Sequence, residues 1–246
     1  MGAGLKGEPN SPVVAAGFVA VVPMRARSRG LPGKNIRSLA GLPLYAHSVR
    51  TALNAGATAV VLSTDIESVL AQAHPSGVLA VERPAALAGD STTMAEVLIH
   101  VLGPEQGLSI DGETTIVLLQ PTSPLRAVSD IHAALDRLAQ PDVELAMSVV
   151  EVDKGILKSG RLKGGRFVPL SDPAHCFSNR QSLPPVYRPN GAVYAFKAGW
   201  FRDNSGFETE HIGAVIMPPE RSLDVDSIDD FERAVTLTAQ LSEGAA

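Results

Sequence analysis

The sequence predicts an α/β fold, a mostly parallel sheet with helices on both faces. Short apolar, β-branched runs recur along the chain, separated by segments with apolar residues at helical spacing. The runs are apolar throughout, as strands buried on both faces should be. The first of them leads straight into a loop rich in Gly, Pro and cations, and open sheets of this class bind ligands at the carboxyl ends of their strands.

Taken in order, "GFVAVVP" (17–23) is the first strand, and "LYAHSVRTALNAG" (44–56) has helical spacing with a Gly where a helix would stop. "AVVLSTD" (59–65) and "VLAVERP" (78–84) are strands; "TMAEVLIHVLG" (93–103) is a helix. "TTIVLLQPTSPL" (114–125) reads as strand and turn, "SDIHAALDRLAQ" (129–140) as a capped helix, and "ELAMSVVEV" (144–152) as a strand. The rhythm breaks over 153–188, a stretch rich in Gly, Pro and charge with short strand-like pieces around tight turns. It reads as an insertion. "NGAVYAF" and "IGAVIMP" then resume the strands, and "SIDDFERAVTLTAQL" (227–241) is a helix with Ser227 or Asp226 as its cap. The domain therefore spans 17–152 and 189–243, and residues 1–16 read as a frayed, disordered N-terminus.

At 246 residues the chain can bury a sizeable core, which the scarcity of aromatics, 4%, makes aliphatic. Its single cysteine, Cys176, excludes an internal disulfide and fits a reducing compartment. No apolar run is long enough for a membrane span, and the start does not read as a signal peptide, so a cytoplasmic location is expected.

The net charge is −5, yet Arg25, Arg27, Arg29, Lys34 and Arg37 crowd one loop, "VPMRARSRGLPGKN" and the residues just after it, with no acid among them. Gly30 and Gly33 let the backbone turn tightly and bring N–H groups close to a ligand, and the cations can neutralise a polyanion. This is a phosphate-binding loop, although its spacing fits neither GxxxxGK[ST] nor GxGxxG. Nucleic acid is a poor fit, because the chain is acidic and no aromatics interleave with the cations. A membrane surface is a poor fit too, because no amphipathic segment accompanies the loop.

Near the C-terminus, "LDVD" puts Asp224 and Asp226 two residues apart. In extended chain both carboxylates point to one spot, a donor pair suited to Mg²⁺ beside phosphate oxygens. The alternative makes Asp226 a helix cap and leaves Asp224 without a role. Arg126 is either a phosphate or carboxylate contact or a partner for the cap of the following helix. His47, His100 and His132 fall on helices as structural or exposed groups, and His175 lies within the insertion.

"RARSRGLPGKN", "LSTD" (62–65), "ERPAALAGDS" (82–91), "LLQPTSPLR" (118–126), "RPNGAVY" (188–194) and "SLDVDSIDDF" (222–231) together resemble the CMP-sialic acid synthetase family in that family's order. These cytidylyltransferases activate 2-keto-3-deoxy sugar acids with CTP. The resemblance implies a Rossmann-like nucleotidyltransferase fold, CTP as donor, Mg²⁺ or another divalent cation as cofactor, and a homodimer. By it, Arg25, Lys34 and Asp226 would be catalytic. Arg25, Ser28, Arg29, Gly30, Gly33, Lys34, Asn35, Arg83 and Ser91 would bind the nucleotide, and Asp224 and Asp226 the metal. Position 29 is Arg where the family usually has Lys. Gln120, Lys158, Arg180, Gln181, Arg188 and Asn190 would bind a small acidic acceptor, some of them across the dimer interface, with 153–188 as the dimerisation arm. From Lys154 to Arg188 that arm carries seven cations and one acid, Asp172. Where many sialic-acid enzymes have His-Pro shortly before the lysine matching Lys158, this chain has "GILK". Other family members activate other ulosonic acids, and relatives cytidylylate small phosphonates. A uridylyltransferase acting on sugar 1-phosphates and a nucleotide-binding protein without turnover are the other classes to separate.

Overall fold

The computed structural model describes residues 17–243 except Arg29, Gly107 and Ser109. The expected disordered segment 1–16 and the nucleotide contact at Arg29 therefore lie outside the described residues.

The chain opens with β1 (Phe18–Pro23), a small hairpin of β2 (Ser38–Leu39) and β3 (Leu42–Pro43), and α1 (Leu44–Asn54). It continues through β4 (Ala59–Thr64), α2 (Glu67–Ala71), β5 (Val78–Glu82), α3 (Met94–Val101), β6 (Thr115–Leu118), α4 (Val128–Leu138) and β7 (Leu145–Val152). A second hairpin, β8 (Gly160–Lys163) and β9 (Arg166–Pro169), precedes the long β10 (Val186–Lys197), followed by α5 (Ala198–Asn204), β11 (Ile212–Ile216) and α6 (Ile228–Glu243).

Seven strands form one sheet in the order β11-β7-β10-β6-β1-β4-β5, and only β10 runs antiparallel to its neighbours. The mostly parallel α/β fold is thus as expected. β1 shows why its run is apolar throughout. Phe18, Ala20 and Val22 pack with Tyr45 and Val49 of α1 and Ile131 of α4, while Val19 and Val21 pack with Leu98 of α3 and Phe201 of α5. Side chains alternate across the strand, and both faces meet a helix layer. Aromatics are few, and Phe18, Tyr45 and Phe231 are set singly among aliphatic side chains. Tyr194, Phe196, Trp200, Phe201 and Phe207 cluster on the α3/α5 side.

β10 begins at Val186, ahead of "NGAVYAF", because Arg188 and Pro189 still pair with Val150 and Val149 of β7. The register then slips between Pro189 and Tyr194, a bulge with Gly191 at φ 77°. Within 153–188 the strand-like pieces are the start of β10 and the β8–β9 hairpin, which turns on Gly164 and Gly165 at positive φ. Among the described residues, no helix is long and apolar enough to cross a membrane.

A third apolar cluster positions the site. Leu31 of the cationic loop, Leu39, Leu44, Leu125, Leu223, Val225 and Phe231 pack together. This ties the loop after β1 to the segment before α6.

Candidate functional site

The loop after β1 leaves the sheet at the strand's carboxyl end and is tied down by groups distant in sequence. The Ala26 N–H donates to Asp65 Oδ1 at 2.7 Å, the Met24 N–H to the Ser63 carbonyl at 2.9 Å, and Asn35 Nδ2 to the Arg25 carbonyl at 3.0 Å. Asp65 ends "LSTD", so that motif shapes the loop. Gly33 has φ 66°, where glycine is favoured. Gly30 is required for a different reason: a Cβ there would lie 2.2 Å from the Asp226 carbonyl oxygen. The loop backbone therefore rests directly against the "LDVD" segment.

Residues 222–226 belong to no strand, yet Leu223 and Val225 are buried while Asp224 and Asp226 line the cleft, the alternation expected of extended chain. The Val225 N–H donates to the Thr122 carbonyl at 2.7 Å. Helix α6 is capped by Ser227, whose Oγ accepts from the Asp230 N–H while Asp230 Oδ2 accepts from the Ser227 N–H and hydroxyl. Asp226 is not the cap and is left to face the cleft.

A cleft of about 550 Å³ opens between these segments. Arg25, Ser28, Gly30, Lys34, Asn35, Arg83, Gln120, Asp224 and Asp226 all line it. Leu87, Met94 and Val97 give it an apolar wall, which suits the flat face of a base. Its two best-placed cations are held by carboxylates. Arg25 Nη1 meets Asp90 Oδ1 at 2.7 Å, and Lys34 Nζ meets Asp226 Oδ1 at 2.6 Å and the Val225 carbonyl at 3.0 Å.

Asp224 is the unusual group. Its Oδ1 is buried with no hydrogen-bond partner among the described residues. Burial pushes its carboxyl above the usual carboxylate range, with the Asp226 charge adding to the effect. A buried carboxylate oxygen without a donor, beside a second carboxylate, is the environment a hard cation would relieve. Among the described residues no cluster of three or more His, Cys, Asp or Glu could hold a metal, so a cation at Asp224 and Asp226 would complete its shell with water or a bound ligand. Arg83 is buried, donates to Ser63 Oγ and the Ser63 carbonyl, and is pushed down to about 10 by burial.

The other expected site residues are not brought to this cleft. Ser91 is exposed between the lining residues Asp90 and Thr92. Arg180, Gln181 and Arg188 are exposed and Lys158 is half-buried, and none lines the cleft within this chain; Arg180 pairs with Asp153 at 2.7 Å. Asn190 is buried beside the cleft and engaged inside the protein. Arg126 proves to be a buried strut: its guanidinium donates to the Ala192 carbonyl, to Ser48 Oγ and to the Gln120 carbonyl, with burial pushing it down to about 9. Asp65, Asp90, Thr122 and Ser222 were not foreseen in roles at the site. The motifs containing them were legible, but which polar member faced the loop was not.

Residues 19–238 match the family model described as cytidylyltransferase. N-acylneuraminate cytidylyltransferase of Streptococcus agalactiae serotype III is 32% identical over 224 residues, 87% of this chain and 51% of that protein. The chain thus spans about half the length of such curated relatives. CMP-N,N'-diacetyllegionaminic acid synthase of Legionella pneumophila is 29% identical, with 92% of this chain and 96% of that protein aligned. Among solved structures, CMP:2-keto-3-deoxy-manno-octonic acid synthetase complexed with CTP superposes with a TM-score of 0.67 at 18% identity, over 92% of this chain and all of that one. That likeness extends the agreement in fold to a CTP-bound protein. With a family model spanning nearly the whole sheet and the cleft at its carboxyl edge, the chain belongs to the cytidylyltransferase family of nucleotidyltransferases.

Proposed function

We propose that the protein transfers CMP from CTP to a small acidic acceptor, a 2-keto-3-deoxy sugar acid of the sialic-acid type, with release of pyrophosphate. The observation that carries this reading is the buried, unpartnered Asp224 Oδ1 next to Asp226, in one cleft with Arg25 and Lys34. Arg25 and Lys34 would receive the triphosphate, with Ser28 and the Gly30 and Gly33 backbone beneath it, and Arg83 with the apolar wall would receive the nucleoside. Asp224 and Asp226 would hold Mg²⁺ together with phosphate oxygens. Bound there, the ion would neutralise charge on the phosphates and polarise the α-phosphorus. The acceptor oxygen attacks the α-phosphorus as the bond to the β-phosphate oxygen breaks. Its proton passes to water where the ion would activate the oxygen, or to Asp226 once Lys34 turns to the phosphates. Positioning and charge neutralisation supply most of the acceleration, as in other transfers at phosphorus.

Gln120, at the turn beside the Gly191 bulge, would meet the acceptor. Lys158, Arg180, Gln181 and Arg188 would bind its carboxylate and hydroxyls from the partner of a homodimer. The β8–β9 hairpin supports that part. Leu162 and Phe167 share one face, Arg161, Lys163 and Arg166 the other, and Leu162 and the nearby Phe177 are 79% and 92% exposed. A cytoplasmic location accords with CTP as donor.

Pyrophosphate release with CTP and Mg²⁺ tests the reaction against N-acetylneuraminate, a deoxy-nonulosonate lacking N-acyl groups, 3-deoxy-manno-octulosonate and a phosphonate carboxylate, with UTP as control. Turnover with a sugar acid and CTP is expected; turnover only with UTP, or with none of the panel, would overturn the reading. Light scattering of Leu162→Asp should report monomers where the parent reports dimers, and a monomeric parent would end the dimer proposal.

A further inference from the structure

We propose that Asn190 is a positioning residue for the Asp224 segment and makes no contact with the acceptor. A side-chain amide has two donor hydrogens and two acceptor sites, four bonds in all. Asn190 makes four inside the protein. Its Oδ1 accepts from Ser148 Oγ at 2.6 Å and from the Ala192 N–H at 3.2 Å. Its Nδ2 donates to Ser222 Oγ at 2.9 Å and to Met217 Sδ at 3.3 Å. The residue is 4% exposed. To bind a ligand it would have to give up a buried partner and leave that partner unpaired, which is unfavourable for both.

The four bonds link parts of the sheet that carry the site. Ser148 lies mid-way along β7 and also accepts from the Val193 N–H at 2.8 Å, so Asn190 and Ser148 lock the β10 bulge to its neighbour. The same bulge sets Gly191 against Gln120, since a Cβ there would lie 2.9 Å from Gln120 Oε1. On the other side, Ser222 donates to the Pro218 carbonyl at 2.9 Å and accepts from Asn190, which fixes the start of 222–226. The far part of that segment is fixed by the Val225 bond to Thr122. Asp224 is suspended between these two anchors. The order of action is Ser148, Asn190, Ser222, then Asp224.

This rests on the proposed reading of Asp224 as a metal ligand, so the test counts bound ion directly. Free Mn²⁺ is measured by electron paramagnetic resonance with CTP present, for the parent, Asn190→Ala, Ser222→Ala, the double variant and Ser222→Thr. Removing a partner that orients a metal ligand weakens metal binding by about 10–100-fold. The expectation is about tenfold weaker Mn²⁺ binding in either single variant. The double variant should be no weaker than the singles, because both break one chain of contacts. Ser222→Thr keeps the hydroxyl and should restore binding, which a general loss of packing would not predict. Parent-like Mn²⁺ affinity in Ser222→Ala overturns the proposal. Additive losses in the double variant do the same. A parent that binds no Mn²⁺ with CTP would remove the metal reading itself, and this proposal with it.

Discussion

Gly30→Ala separates packing from catalysis at the cationic loop. The new Cβ would lie 2.2 Å from the Asp226 carbonyl oxygen and 3.2 Å from its carbonyl carbon, both backbone atoms that cannot rotate away. Carbon–oxygen contacts settle at about 3.3–3.6 Å, so loop and segment must part by about 1 Å. Gly30 is exposed and the cluster of Leu31, Leu223 and Val225 lies beneath it, so the loop can lift at its tip without opening the sheet. The stability loss should stay within the roughly 1–3 kcal/mol typical of overpacking. Activity is less forgiving: a misplacement of about 1 Å can lower turnover about 100-fold. The Lys34–Asp226 pair spans the same gap and should loosen with it.

The control is Gly33. There the nearest atom to a new Cβ is Ile36 Cγ1 at 4.0 Å, and only φ 66° opposes substitution. Gly33→Asn, whose side chain tolerates the left-handed region, should be close to neutral. Thermal melting, CTP titration calorimetry and pyrophosphate release on both variants decide the matter. Parent-like CTP affinity and turnover in Gly30→Ala would refute the claim that contact between loop and Asp226 sets the site. So would equal losses in Gly33→Asn, which would point to general loop sensitivity.

Three further outcomes are expected. Asp90→Asn frees Arg25 from an ion pair whose side chains are 30% and 42% exposed, so calorimetry should show CTP bound up to about fivefold more tightly, the limit of about 1 kcal/mol for such a pair. Asp224→Asn should abolish turnover yet raise the melting temperature at neutral pH. Burial, aided by the Asp226 charge and opposed by Thr122, raises the Asp224 carboxyl in the folded state, so the folded protein holds that proton more tightly than the unfolded chain does. Its favourable contribution is therefore complete in acid and lost as pH climbs through the raised value, and the gain from Asn should vanish on acidification. Arg126→Met removes the donor to the buried Ala192 carbonyl, while the Gln120 carbonyl keeps the Ser123 N–H and the Ser48 hydroxyl, so urea denaturation should report a loss of about 1–3 kcal/mol, which Arg126→Lys does not recover.

The sheet was legible because its strands are buried on both faces. β1 and β4 are buried at every position, and no polar residue interrupts the reading of β1. The pairing of Asp224 with Asp226 was legible as well, since alternation needs only extended chain and not a strand partner. Helix α5 was not foreseen, because it follows β10 with no loop between Lys197 and Ala198 to mark a boundary. The roles of Asp65 and Asp90 were hidden for another reason: their partners in the loop are 39 and 65 residues away. Asn190 was hidden most deeply. Its motif "RPNGAVY" invites a ligand role, and only the antiparallel placement of β10 beside β7 reveals that Ser148 and Ser222 already occupy the amide.

The charge pattern acquires a physical meaning from these pairs. An acidic chain that gathers cations in one loop must either leave them solvated or neutralise them internally, and here Arg25 and Lys34 are each met by a carboxylate. A triphosphate can displace Asp90 and Asp226 because it presents more negative charge, in a fixed array, than either side chain. At Lys34 the displacement also frees a carboxylate. The one released from Lys34 is Asp226, which stands beside the unpartnered oxygen of Asp224. Nucleotide and divalent ion should therefore bind with positive coupling, since each removes the charge that disfavours the other, and by linkage the coupling must be equal in both directions. The loop and "LDVD", the two segments joined by the contact at Gly30, then act as one exchange of partners around Lys34.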